Sequence, residues 1–308
     1  MRRRVPKSVV RDLKERCDLP GLLFLAGHVA ALVAGGWLIH QSLGTWWVVP
    51  ATVFQGIAIV CLFAPFHEAS HHSAFRSEWL NTVTLWLTGL LLLNHPTRFM
   101  YAHVNHHAFT QDLALDPQNL AHAENSGNWL RYASGFDILA LYLRMQVLFL
   151  SPRTVPAAAS VYLPREKVMR TVWECRTFWL VYLTVAAVAV SLQSWAPVIY
   201  WLLPRFACEW FQSTIRLSEH VGCDYRGDIE NRTRTVLTMP PVRWLCWNMP
   251  YHVEHHAFPN VPFHRLPALH RHLRGGHVHV GRGHIRTAIG QLTAAPREEG
   301  AAPPETSA

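Results

Sequence analysis

The chain has 308 residues, a net charge of +8 and a pI near 9.5, with 50% hydrophobic and 16% charged residues. A mean hydropathy of +0.08 is too low for a chain lying wholly within a membrane, and suits a membrane anchor that carries a sizeable polar part. The basic balance is not accompanied by any nucleic-acid motif, so no nucleic-acid partner is expected, and the cytoplasmic face of a membrane explains it more simply.

Residues 1–20 read as a basic leader that opens Met-Arg-Arg-Arg-Val-Pro-Lys and should stay cytoplasmic. The apolar run after it is too long for the core of a cleavable signal. A bilayer crossing needs about 20 mostly apolar residues. Four stretches approach that: 21–39, 46–66, 177–194 and 195–213. The last is broken by Pro204 and carries Arg205 and Glu209. Those two either pair with each other or line a tunnel, because ionisable groups at membrane depth usually face protein. Two weaker runs, 80–94 and 136–150, are short for a crossing and read as interfacial or re-entrant. Residues 276–308 read as a polar tail, disordered from about 293. The six cysteines have no CxxC spacing and read as reduced structural thiols.

Histidine carries the functional signal. Three clusters stand out: His67-Glu-Ala-Ser-His71-His72, His103-Val-Asn-His106-His107 and His252-Val-Glu-His255-His256. A singlet, His220, sits in Ser-Glu-His-Val-Gly. Neutral imidazole is a strong ligand for transition metals. On a helix, residues i and i+4 share a face and i+3 lies close by. His67 and His71 meet that rule, as do the members of the second and third clusters. His72, five residues from His67, points away and is the weakest candidate. Helices continuing from the second and fourth spans would carry His67 and His220 to a similar depth.

All these histidines must lie on one side of the membrane to share metals. Four spans achieve that and leave the outer loops free of Lys and Arg. A full crossing by residues 80–94 would separate His103 from His67. Isolated histidines such as His28, His95, His264, His270, His277 and His284 read as packed or solvated side chains. Glu68, Glu219 and Glu254 each neighbour a candidate ligand and serve either to orient it or to meet solvent. His67-Glu68-x-x-His71 also matches the zinc-protease pattern, which would need one further ligand and leave most of the histidines unexplained. A non-catalytic metal-binding membrane protein is a further alternative.

At these residues the chain resembles the membrane fatty acid desaturase and hydroxylase superfamily. The resemblance spans about residues 21–275 and rests on HxxxH, HxxHH and HxxHH boxes in that order, with two hydrophobic hairpins placed as in that family. It implies an all-α integral membrane fold: four transmembrane helices and a cytoplasmic helical cap, with both termini cytoplasmic. It implies a non-haem centre of two iron ions, with O2 as co-substrate and a lipid or other apolar substrate. By motif position the ligands are His67, His71, His103, His106, His107, His220, His252, His255 and His256, with His72 assisting. The implied activity is desaturation of an acyl chain. Hydroxylation or ketolation of an acyl chain, carotenoid or other apolar small molecule is the alternative. The third box begins with His252 rather than Gln, which is unlike a front-end desaturase. No fused cytochrome b5-like segment or rubredoxin-like cysteine pair is present. Electrons are therefore expected from a separate ferredoxin, rubredoxin or cytochrome-type donor.

Overall fold

The computed structural model describes residues 4–124 and 126–292. The expectation of disorder from about 293 lies outside those residues. In chain order the helices are α1 (Lys7–Leu13), α2 (Asp18–Ser42), α3 (Val48–Val60), α4 (Phe63–Ser70), α5 (Glu78–Leu92), α6 (Pro96–Phe109), α7 (Ser126–Ala133), α8 (Phe136–Leu148) and α9 (Arg165–Ser191). They continue with α10 (Leu203–Ala207), α11 (Glu209–His220), α12 (Ile229–Arg232), α13 (Pro240–Leu245), α14 (His252–Ala257), α15 (Leu266–Leu273) and α16 (His284–Leu292).

The all-α expectation is corrected at one place. Strands β1 (Thr235–Leu237) and β2 (Val280–Arg282) pair in parallel, Val236 opposite Gly281. The pairing draws residues after 275 back onto the protein, and α16 then packs against α11. Periodicity in three-residue strands is too short to be read from sequence.

Three helical stretches are long and apolar enough to cross a membrane: Asp18–Ser42, Val48–Ser70 and Arg165–Ser191. The first and third leave large apolar side chains such as Leu23, Val33, Leu183 and Val190 exposed, while the middle one is largely covered by protein. Exposed apolar surface on this scale suits lipid. The expected fourth span is discontinuous. It runs as a π-helical turn at Val198–Leu202, then α10, then α11 after a break at Cys208. Pro204 lacks an N–H and displaces the turn before it, which accounts for the wide π turn. Arg205 and Glu209 straddle the break as a buried ion pair, and the Arg205 guanidinium also lies over the Tyr142 ring.

The hairpin of α2 and α3 meets α10 closely. A Cβ at Gly56 would run into the Pro204 carbonyl oxygen and the Cys208 sulfur, so only glycine permits this approach. α5 packs along α4 and has 15 residues, about 22 Å at 1.5 Å each, well short of a bilayer core of about 30 Å. It ends at Leu93, which is left-handed (φ 61°), with the Asn94 N–H bonded back to the Gly89 carbonyl at 2.8 Å. Pro96 then opens α6 at a position that needs no N–H donor. The largest core cluster gathers Phe66, Phe75, Trp247, Phe263 and Leu266 beneath α4, α14 and α15. It fixes α4 and α14, which carry the first and third histidine clusters, and reaches α6 through Phe99.

Candidate metal centre

Four short helix segments deliver the histidines. His67 lies on α4 and His71 caps its C-terminal end, His103 to His107 lie on the last turns of α6, His220 is the last residue of α11, and the third cluster occupies α14. The side chains sort into two adjacent groups. Ligand nitrogens of His67, His71, His103, His107 and His255 lie within 4.8 Å of one another. The same limit joins His106, His220 and His256, and it joins His220 and His252 with Glu219. The groups touch where the His107 and His256 rings stack at 4.2 Å.

Helical phase explains the sorting. Neighbouring residues on a helix point about 100° apart, whereas i and i+4 nearly coincide. On α6 the pair His103 and His107 faces the first group, and His106 turns to the second. On α14 the arrangement is exchanged: His252 and His256 face the second group, and His255 the first. His72 joins neither group. It has a left-handed backbone (φ 55°), is partly exposed, and its Nδ1 contacts Glu78 Oε2 at 2.8 Å.

The donor chemistry fits metal ions. His107 Nε2 lies 3.0 Å from both His103 Nε2 and His255 Nε2. His252 Nε2 lies 2.9 Å from His220 Nε2 and 3.1 Å from His256 Nε2. One ring nitrogen has either a proton or a lone pair and cannot satisfy two like neighbours at once. A cation can, and ligands at right angles on a metal at about 2.1 Å stand about 3 Å apart. The Nε2 of His71 has no hydrogen-bond partner either. A buried polar atom left unpaired costs roughly 1–3 kcal/mol, a cost that a bound cation would remove.

Protonation agrees. Burial first, and neighbouring imidazoles second, hold His103, His107, His220, His255 and His256 well below the usual imidazole range. His252 is held at about 3 by burial and then by His106. The rings are neutral at physiological pH, the state a metal ligand requires.

Several supporting groups carried no sequence signal. Asp116 bonds His106 Nδ1 with both carboxylate oxygens, at 2.8 and 2.9 Å. Thr110 Oγ1 meets His256 Nδ1 at 3.1 Å, and Gln111 Nε2 donates to the His220 carbonyl at 2.8 Å. Such contacts fix ring orientation. Glu68 lies behind two of the rings, with its Oε1 3.9 Å from His67 Nδ1 and 3.7 Å from His255 Nδ1, and its Oε2 accepts from the Phe263 N–H at 3.1 Å and the Ser73 hydroxyl at 3.2 Å. That removes the glutamate base from the zinc-protease reading. Glu254 is buried and accepts from His270 Nδ1, from His277 Nε2 at 2.6 Å and from Thr235 Oγ1 at 2.6 Å. Burial alone would raise its carboxyl, but these donors outweigh it and hold the group at about 2. His270 and His277, expected as ordinary isolated histidines, thus anchor the helix that carries the third cluster. His28 packs within the bundle, stacked on Trp244.

A small cavity of about 40 Å³ lies between the groups, lined by Phe63, Ala64, Ile215 and Met249 with His67 and His252. A polar cavity of about 670 Å³ reaches His107 and His256 and carries Arg4, Arg232, Asp228 and Thr110. A larger apolar groove of about 780 Å³ between α8, α9 and the π turn touches none of these histidines.

These features define a membrane protein with a buried histidine cluster that could hold metal ions. The family model for fatty acid desaturases matches residues 44–278, and the chain belongs to that family. It is 25% identical over 241 residues to the sphingolipid delta(4)-desaturase/C4-monooxygenase DES2 of Homo sapiens, covering 76% of this chain and 68% of the relative. It is 23% identical over 300 residues to the sn-1 oleoyl-lipid 12-desaturase of Arthrospira platensis, covering 85% and 82%. The sphingolipid delta(4)-desaturase DES1 of Drosophila melanogaster is 25% identical over 255 residues, covering 78% and 73%. The protein is an integral membrane oxidoreductase of the desaturase and hydroxylase kind.

Proposed function

We propose that the chain is an O2-dependent acyl-lipid desaturase in which each histidine group holds one iron. The observation that carries this reading is the convergence of nine buried or half-buried histidines into two touching groups beside a small apolar cavity. When bound, a pair of irons would activate O2, which supplies the oxidising power to remove hydrogen from an unactivated C–H bond. The chain's own residues do the rest. His67, His71, His103, His107 and His255 hold one iron, and His106, His220, His252 and His256 the other. Asp116 fixes the His106 ring, and Glu254 anchors the helix that carries the third cluster. Phe63, Ala64, Ile215 and Met249 exclude water and leave space for roughly three water-sized groups, so an acyl chain must widen this passage as it enters.

Four crossings are the proposed topology, with both termini and the metal centre on the cytoplasmic side. The exposed Trp46 and Trp47 in the first hairpin turn and Trp195 in the second support it as interfacial anchors. The proposed electron donor is a separate acidic carrier attracted to the basic polar face. Hydroxylation is a second reading, favoured by the desaturase/C4-monooxygenase name of the human relative. Mass spectrometry of host lipids, with and without the protein and with and without oxygen, tests both. Loss of two hydrogens from an acyl chain supports desaturation, and gain of one oxygen supports hydroxylation. Identical lipid profiles in all four conditions would sink both.

A further inference from the structure

Six carboxylates are buried among the described residues: Glu68, Asp116, Glu174, Glu209, Glu219 and Glu254. Five have clear partners. Glu174 accepts from the Thr97 hydroxyl and N–H, Glu209 pairs with Arg205, and Glu68, Asp116 and Glu254 are held as described above. Glu219 stands apart. Among the described residues no hydrogen bond reaches either of its carboxylate oxygens, whereas Glu68 and Glu209 each leave only Oε1 unpartnered and bond through Oε2. Arg216, one turn earlier on α11, makes no ion pair with it within 4.0 Å. Arg216 and Cys246 act on it only electrostatically, and its Oε2 lies 3.8 Å from His252 Nε2. The carboxylate also lines the small cavity between the two groups.

A carboxylate left buried and unpaired costs several kcal/mol, so a cation beside it is the expected remedy. The cation position is already defined. Glu219, His220 and His252 offer ligand atoms within 4.8 Å of one another. Two ligands on a metal at about 2.1 Å stand between about 3 Å apart at right angles and about 4.2 Å apart when opposed. The 3.8 Å separation falls inside that range. The imidazole count adds a second argument, because the first group has five histidines and the second has four.

We infer that Glu219 gives an oxygen ligand to the second metal, which then has four imidazoles and one carboxylate beside a neighbour with five imidazoles. This rests on the di-iron reading above. It makes the two irons chemically unequal, with the added negative charge on the one nearer α11. Glu219 also lines the cavity between the two groups, together with His67 and His252.

The test uses the full-length protein in detergent, loaded anaerobically with iron-57, as wild type, E219Q and E219D. Folding is checked by circular dichroism. The readouts are iron per chain, Mössbauer spectra and the rate of iron release to a ferrous chelator. Wild type should hold roughly two irons in two distinct environments. E219Q should keep one iron firmly and release the other on the order of 10–100-fold faster, with one Mössbauer doublet altered. E219D keeps the charge but withdraws the oxygen, and should show the same loss if E219Q does not fold. If wild type binds two irons and the variants match it in release and spectra, Glu219 is not a ligand and the di-iron reading stands. If wild type binds no iron, or one zinc, both readings fall together.

Discussion

Asp116 grips the Nδ1 of His106 with both carboxylate oxygens, which leaves Nε2 as the free ligand atom of that ring. The same carboxylate accepts from the backbone N–H groups of Gln111 and Gln118, at 2.9 and 2.8 Å. It therefore ties the loop after α6 to the ring it orients. Asp116→Asn keeps the shape but offers one oxygen and an amide where two oxygens stood. Metal affinity of the second group should drop on the order of 10–100-fold, with the fold retained. Iron content after equilibration with graded chelator measures this. Retention equal to wild type would show that Asp116 serves only the loop.

His71 and His72 are chain neighbours with opposite expectations. His71 faces the rings of His103, His107 and His255 at centroid distances of 4.8 to 4.9 Å. His72 faces Glu78 near the surface. His71→Ala should abolish activity and lose iron from the first group. His72→Ala should keep both iron content and turnover within about twofold, since exposed ion pairs contribute about 0–1 kcal/mol. Loss of iron in His72→Ala would return it to the ligand set.

The contrast marks how far sequence reading reaches. The i and i+4 rule is local, so the ligand candidates and the weakness of His72 are legible without a structure. The exchange between α6 and α14 is not, because it depends on how two helices face each other. Asp116 and Thr110 are equally silent, since their partners are set by the turn after α6 and by a helix 146 residues away. Pro204 signals a broken helix, but the π turn and the Arg205–Glu209 pair at the break are tertiary outcomes. The helix at Arg165–Ser191 begins twelve residues before the apolar run at Thr177. Its first half is polar on one side yet buries Thr171, Val172 and Cys175.

Glu254 joins α14 to three other segments through His270, His277 and Thr235. Removing either histidine leaves a buried carboxylate short of a donor, at about 1–3 kcal/mol each. His270→Ala and His277→Ala should each lower the melting temperature and loosen iron binding in both groups, because α14 serves both. A melting temperature unchanged in either variant would mean that the remaining donors suffice.

His284 gives a pH signature from a residue outside the candidate ligand set. Burial lowers it from 6.5 to about 4, and its Nδ1 meets the Ser218 hydroxyl at 2.7 Å. The folded state keeps it neutral, so between pH 6.5 and 4 the unfolded chain binds more protons. Stability therefore falls as pH drops through that window, by an amount on the order of 2–3 kcal/mol from this residue. His284→Gln should flatten part of the dependence of melting temperature on pH between 6.5 and 4. An identical slope in the variant would assign the whole acid sensitivity to other groups.

The contact of α3 with α10 sets the position of α11 and so of His220. At Gly56 a Cβ meets the Pro204 carbonyl, which is backbone and cannot move aside as a side chain can. Gly56→Val should force the helices apart, at about 1–3 kcal/mol or more. Gly36, on the exposed side of α2, has nothing within 4 Å of an added Cβ and serves as the control. Gly36→Ala should be neutral or stabilise by about 0.5–1 kcal/mol, because glycine weakens a helix interior. Melting temperature and iron content are measured together. If α10 transmits its position through α11, Gly56→Val loses iron from the second group at temperatures where the protein is still folded. Loss of stability with full iron retention would instead confine the Gly56 contact to packing.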